Sequence, residues 1–444
     1  MARDRTILTS PSLSSFTGLG IDQDPLLASV SLEADWNEND ILVTDPSYNE
    51  VNPSIASAPS GDLYVAVERL ADSKIVIYRS TNNGQSWSAF WASPSSENGS
   101  HNPSLTYIET SSEKWVCVVY ERVESDSTRT IRFLRINPGN STDYDLVSVL
   151  SGITMAGTDD HVYPRIATDN IENASSPNLY LTYAQYGADY YRVYFTKSTD
   201  KGTNWSDPIN VTGSAENSSS ATQPDIAYGS SGLFITFTKL GQAQESTNWY
   251  DQVFVIQSVN SGEDWTTPIQ LTTDPYDEYN KYHPRIVVSH GDTSSVLIGY
   301  TIDYGTDTDV ESYSSLNGGT TWSGPYLLPW IENVDEKGVD LAVSTDQGKF
   351  HATYWRENSV LYTTASVDIP KSWSSPVLVN ETAMASSTYV RPAVTVNPTL
   401  SVDSEVAVVW TDTRNAHDSV YFDSPFSPPS DSFLPAIYLL LLFQ

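Results

Sequence analysis

The sequence predicts an all-β fold, a seven-bladed β-propeller of four-stranded antiparallel blades whose last blade is closed by an N-terminal strand. Three observations carry this expectation. An eight-residue turn recurs along the chain, a Pro-led strand recurs between the copies, and no useful stretch combines helical caps with 3.6-residue periodicity. A chain of 444 residues would ordinarily suggest two or three domains. A regular repeat overrides that prior, because it denotes an array of equivalent units.

The turn reads Ser198-Thr199-Asp200-Lys201-Gly202-Thr203-Asn204-Trp205. Full copies occur at Ser80 with Asn82, Gly84 and Trp87, at Ser258 with Asn260, Gly262 and Trp265, and at Ser315 with Asn317, Gly319 and Trp322. Asp or Asn can accept from backbone N–H groups just downstream and hold the turn closed. Gly supplies the positive φ of a short β-connection. Trp then has a fixed place to pack, with its N–H free to find a partner. Ser366, Asp368 and Trp373 form a copy that lacks the Gly. Asn137-Pro138-Gly139 keeps only the turn, and Ser29 with Trp36 keeps only the separation.

The second repeat is a strand opened by Pro53, Pro103, Pro164, Pro224, Pro284 and Pro392, at successive intervals of 50, 61, 60, 60 and 108 residues. Pro is tolerated at the first residue of a strand. The last interval is twice the usual one, and Val339-Asp340-Leu341-Ala342-Val343 fills it as a Pro-less copy, giving seven units. Each unit continues through apolar runs such as Leu63-Tyr64-Val65-Ala66-Val67 and Leu233-Phe234-Ile235-Thr236-Phe237. Runs apolar on both faces suit sheets stacked between neighbours. Radial repetition of four-stranded units makes a propeller. The seventh unit ends early at Ser424-Pro425, so Ile41-Leu42-Val43-Thr44, with a second stretch near Ala28, is expected to complete it.

The expected organisation is an irregular segment over 1–25, one propeller over 26–424, and a Pro-rich linker with an apolar tail over 425–444. The tail reads as a truncated anchor or a sequence artefact, being too short to span a bilayer. Residues 1–25 contain no apolar run of the signal-peptide kind. The net charge of −32 argues against nucleic acid or an anionic membrane as partner. A membrane association would run only through a missing C-terminal anchor. Cys117 is the single cysteine and reads as a buried strand thiol.

The turn motif resembles the Asp box, or BNR repeat, of the sialidase-like β-propellers. The resemblance covers about Ser29 to Ser424 and is specific for fold rather than activity. It implies that the boxes lie opposite a functional face built from the starts of the Pro-led strands and the loops after the second strands. Sialidases grip a carboxylate with three arginines, and Arg165, Arg285 and Arg391 stand at the expected innermost positions. All three should share one face near the axis, since strand side chains alternate with period two. Asp160, Asp225, His283, Asp412 and Arg414 complete the candidate ligand-binding set, with Asp160 and Asp225 as candidate ion-pair partners inside the ring. The chain departs from the family at Glu50-Val51-Asn52-Pro53, where the first arginine is missing, and no Tyr, Glu or Asp takes a catalytic role by motif.

Asp303, Asp307 and Asp309 are candidate Ca²⁺ ligands by chemistry, though a solvated acidic loop is the plainer reading. No other cofactor is expected, and the His spacing fits no zinc site. Three readings follow: a cell-surface or extracellular propeller binding glycan or protein on its loop face, an exo-sialidase-type glycoside hydrolase, and a structural surface-layer protein. The sequence leaves open whether the chain is an enzyme.

Overall fold

The computed structural model describes residue 36 and residues 40–425, apart from 158–159, 170–176, 188, 214–218, 243–247, 274–278, 291–293, 345–347, 385–390 and 399–404. Segment 1–25, the stretch near Ala28 and the tail from 426 onward lie outside the described residues.

Seven antiparallel sheets follow one another along the chain. Blade 1 spans residues 50–92, blade 2 100–153, blade 3 165–210, blade 4 221–270, blade 5 280–327, blade 6 336–378 and blade 7 393–423. Strands pair in chain order, and the first strand of each blade touches the first strand of the next. The last of these inner strands, Ala393–Val396, returns to the first, Glu50–Ser57, and closes the ring. Among the described residues the helical content is one 3₁₀ turn, Ser95–Glu97.

The core is divided among the blade interfaces. Seven buried apolar clusters each draw side chains from two adjacent blades. Between blades 1 and 2, for example, Tyr64, Ile77, Tyr107, Val118 and Tyr120 pack together. This is why the second and third strands are apolar on both faces. Cys117 is buried, and burial pushes its thiol pKa up, as fits a packing residue.

The boxes clip blade to blade. Gly84, Gly202, Gly262 and Gly319 have φ of +86°, +88°, +85° and +83°. Each donates its N–H to the box serine hydroxyl, at 2.8–2.9 Å. That hydroxyl donates to the box Asn or Asp, which accepts in turn from the N–H just before the Trp. A Cβ on these glycines would lie 2.0, 2.0, 2.3 and 2.7 Å from ring atoms of Phe422, Phe133, Phe195 and Phe234, each in the preceding blade. Trp87, Trp205 and Trp265 meet three of the same rings edge-on at 4.9–5.4 Å. One expectation fails: the box indole N–H groups are buried without a hydrogen-bond acceptor among the described residues.

Two degenerate boxes differ as their residues require. Without Gly, the Ser366 copy pairs Ser366 with Ile369 in a tighter hairpin, retaining the Asp368 N–H bond to the Ser366 hydroxyl. Asn137 pairs directly with Asn140.

The closing strand is Ile41–Leu42, pairing with Phe422 and Tyr421. Beyond it, Val43 N–H donates to the Val420 carbonyl and Thr44 Oγ1 accepts from Val420 N–H, both at 2.9 Å. Val211 with Thr212, and Leu271 with Thr272, make the same two bonds in blades 3 and 4. Trp36 meets Tyr362 of blade 6 at 5.1 Å, as a box Trp meets the preceding blade.

The closure joins blade 1 through a buried relay. Asp45 N–H donates to the Tyr78 hydroxyl, which donates to Glu50 Oε2 at 2.7 Å. Burial raises the Glu50 pKa to about 7, against the weaker opposing pull of Tyr78 and Arg69.

Two outcomes are expected. Gly152 has φ +72° but open space around its Cβ, so Gly152→Ala should cost about 1 kcal/mol. Gly202→Ala adds the Phe133 clash and should cost roughly 3 kcal/mol; equal thermal shifts would refute the clip. Below about pH 7 Glu50 is mostly neutral in the fold, and it ionises more readily when unfolded. Its contribution is therefore full below its unfolded pKa and lost as pH rises through about 7. Glu50→Gln should gain roughly 2–3 kcal/mol relative to the parent between about pH 5 and about pH 8, and an unchanged difference would contradict the assignment.

Candidate functional site

Six of the seven inner strands begin with a local distortion. Asn52, Asn102, Tyr163, Gln223 and His283, each just before the repeat Pro, have φ between +48° and +53°. In blade 6, Gly338 at +70° precedes Val339, which replaces the Pro. The pairing register shifts across this point in blades 1, 2, 4, 5 and 6. The positions before and after the Pro do reach a common face. The cause is a β-bulge rather than the simple alternation the sequence suggested.

The residue after the Pro faces the axis. In order around the ring these residues are Ser54, Ser104, Arg165, Asp225, Arg285, Asp340 and Ala393. Where the side chain can accept, it caps the next blade. Ser54 accepts from Leu105 N–H, Ser104 from Ile166, Asp225 from Ile286 and Asp340 from Val394, at 2.9–3.3 Å. Arginine cannot accept, and Arg165 and Arg285 alternate instead with the two aspartates. Arg165 Nε lies 3.9 Å from Asp225 and Arg285 Nε 3.3 Å from Asp340.

Arg165, Arg285 and Arg391 line one cavity of about 130 Å³, together with Asn52, Ser54, Asn102, Ser104, Asp225 and Asp340. Three guanidinium groups thus meet two carboxylates. Among the described residues, Arg391 has no carboxylate partner; it donates to His283 Nε2 at 3.1 Å. Burial and the neighbouring arginines hold His283 well below the ordinary imidazole pKa, so its ring is neutral and can accept. No hydrogen bond among the described residues satisfies the guanidinium of Arg165 or Arg285. Burial, then Arg285, lowers Arg165 to about 9. Burial, then Arg285, lowers Arg391. These are cations held together against their own repulsion.

Other candidates lie elsewhere. Asp160 does not pair with the arginines; its carboxylate accepts from the Tyr191 hydroxyl and from Gly157 N–H. Arg414 is taken up by Asp412 and Asp40 and stacks 4.1 Å over Tyr421, so this pair fastens the closing segment. Among the described residues no group of three or more His, Cys, Asp or Glu side chains is placed to hold a metal ion. Asp303 accepts from Gly305 N–H and Asp307 from Asn333 N–H. Asp309 is buried beside Glu336, whose pKa is raised to about 8 by burial and then by Asp309.

The structure adds a second group at the starts of blades 2 and 3. His101 Nδ1 lies 2.7 Å from Glu68, and His161 Nδ1 2.6 Å from Glu121. The two imidazoles are 5.6 Å apart, and Tyr163 lies 5.8 Å from His161. Glu68 also accepts from Asn52 Nδ2 and Asn102 N–H, and Glu121 from Asn102 Nδ2 and Val162 N–H. The signal in sequence was a His two residues before the repeat Pro in one unit and three before it in the next. Asp340 was missed because its unit lacks the Pro.

No protein-family model matches the chain, and no curated protein is similar to it in sequence. Solved structures do resemble it. The polysaccharide lyase Uly1 aligns with TM-score 0.53 at 10% identity, over 88% of this chain and 99% of that one. A protein of unknown function from Dyadobacter fermentans DSM 18053 aligns with TM-score 0.51 at 11% identity, over 87% and 97%. The NanB sialidase of Streptococcus pneumoniae, as a K499G mutant, aligns with TM-score 0.42 at 11% identity, over 85% and 81%. At such identities the likeness is one of fold.

The two kinds of ring residue should respond oppositely to truncation. Asp340→Ala leaves Val394 N–H and Arg285 unpaired and should cost roughly 3 kcal/mol. Arg391→Ala relieves cation repulsion and should leave the melting temperature unchanged or higher. Equal losses for both would make Arg391 a structural residue.

Proposed function

We propose that the loop face binds acidic carbohydrate, seating a sugar carboxylate among Arg165, Arg285 and Arg391. The observation that carries this is the excess of guanidinium over carboxylate in one cavity, with donors unused. A planar guanidinium matches a carboxylate with paired N–H bonds. A cation cluster without a ligand costs stability, and an anion arriving there recovers it. The structural neighbour Uly1 is a polysaccharide lyase, which agrees with a carbohydrate setting. Acidic glycans of this kind lie outside cells or on their surfaces, and we assign the protein to that setting. The exo-sialidase reading stands second, because Val51 stands where the resemblance would place the first arginine.

The test is calorimetric binding to polygalacturonate, alginate, chondroitin sulfate and sialyllactose, with neutral xylan as control. An acidic glycan should bind, and Arg391→Ala should weaken it at least tenfold, worth about 1.4 kcal/mol. Equal binding of xylan, or indifference to Arg391→Ala, would overturn the reading.

A further inference from the structure

We propose that the site also cleaves the chain it holds, by β-elimination at a uronate residue, with His161 as base and Tyr163 as acid. This rests on the carboxylate-binding reading above. A carboxylate held among the arginines of this cavity leaves the carbon that bears it one bond away. The residues flanking the arginines then decide the chemistry.

Tyr163 bridges the two groups. It immediately precedes Pro164 and Arg165, its titration is influenced by Arg391 and Arg165, and its ring lies 5.8 Å from His161. Its hydroxyl has no hydrogen-bond partner among the described residues. Burial keeps the phenol protonated, the state an acid requires. His161 is anchored through Nδ1 by Glu121, and Nε2 has no partner among the described residues. This is the arrangement of an oriented imidazole base.

Hydrolysis by a carboxyl pair is a poorer fit. It needs one carboxylic acid and one carboxylate facing the glycosidic bond. The two buried carboxylates here, Glu68 and Glu121, are committed to His101, His161, Asn52, Asn102 and Val162. Elimination needs no carboxyl group from the protein. It needs a base for the proton α to the carboxylate and cations to stabilise the charge that develops on that carboxylate.

Neutral His161 Nε2 takes the proton from the carbon bearing the carboxylate. The electrons of that C–H bond form a second bond to the adjacent ring carbon. The glycosidic C–O bond on that carbon breaks, and its electron pair leaves with the oxygen. Tyr163 gives that oxygen its proton, and the imidazolium proton returns to Tyr163 through solvent. Nothing is oxidised or reduced, and no water is consumed.

The base must be neutral, which sets the pH dependence. His161 is raised first by its bond to Glu121, with further pull from Glu68 and opposition from burial and Arg129. The rate should rise as pH climbs through this raised imidazole pKa. Glu121 is a positioning residue in this scheme. Glu121→Gln keeps an acceptor for Nδ1–H but removes the charge, so the rising limb should move toward acid.

The experiment takes whichever acidic glycan binds in the Arg391-dependent manner and follows the ultraviolet absorbance of the new conjugated double bond. The parent should produce it. His161→Ala should slow it at least about a hundredfold and Tyr163→Phe at least about tenfold, with glycan affinity within a few-fold. Melting curves of each variant separate loss of chemistry from loss of fold. Arg391-dependent binding without unsaturated product overturns the elimination and leaves the binding reading intact. Absence of binding removes both. Unsaturated product that survives His161→Ala in a folded variant assigns the base elsewhere and overturns this mechanism.

Discussion

The ring depends on one contact, a glycine pressed against the aromatic ring of the blade before it. The box glycines need positive φ to make their turn, and the same missing Cβ lets Phe422, Phe133, Phe195 and Phe234 approach. Backbone conformation and inter-blade distance are thus set by one residue. The serine hydroxyl fixes the turn, and the tryptophan covers the ring from the side. Blades without a full box use what remains. Blade 7 takes its outer strand from Ile41–Leu42, while Trp36 packs against Tyr362 of blade 6. Closure converts a stack with two exposed edges into a ring with none.

The opposite face follows a different rule. The bulge at the start of five inner strands turns the next side chain toward the axis, where it can cap a neighbour's N–H. Serine and aspartate do this at four of the seven positions. Arginine at two others gives up the cap and needs a counter-ion. Asp225 and Asp340 therefore serve twice, as caps and as partners to Arg165 and Arg285. Arg391 enters from the position before the Pro, so it adds a cation without adding a partner. A scaffold built only for stability gains nothing from that third guanidinium.

The fold was legible because its causes are local. A turn that needs Gly, a strand opened by Pro and runs apolar on both faces can each be read without knowing the neighbours. The Pro-less sixth unit was recoverable from spacing, and the closing strand from its likeness to Ile209-Asn210-Val211-Thr212. The site was legible only in part. The convergence of three arginines followed from their matched positions, and of their partners only Asp225 was anticipated. Asp160 stands close to Arg165 in sequence and bonds Tyr191 instead. Asp340 stands far from Arg285 in sequence and pairs with it. The His–Glu pairs join residues of successive blades, and such contacts carry no signature in either segment alone. The bulge itself was invisible, since four different residue types hold the same left-handed conformation.

A protein of net charge −32 is a poor host for an anion until distances are considered. Exposed charges are screened beyond about 8 Å at physiological ionic strength. The carboxylates spread over the surface therefore contribute little at the axis. Arg165 and Arg285 are only 16% and 17% exposed, and what they face is the cavity. Their field is neither screened by salt nor diluted by bulk water to the same degree. The local excess of one cation then outweighs a larger but distant negative charge. The acidic surface has a separate consequence. It slows the approach of an anionic polymer while leaving the bound state intact, so the protein's field acts on the rate of capture and the arginines on the lifetime of the complex.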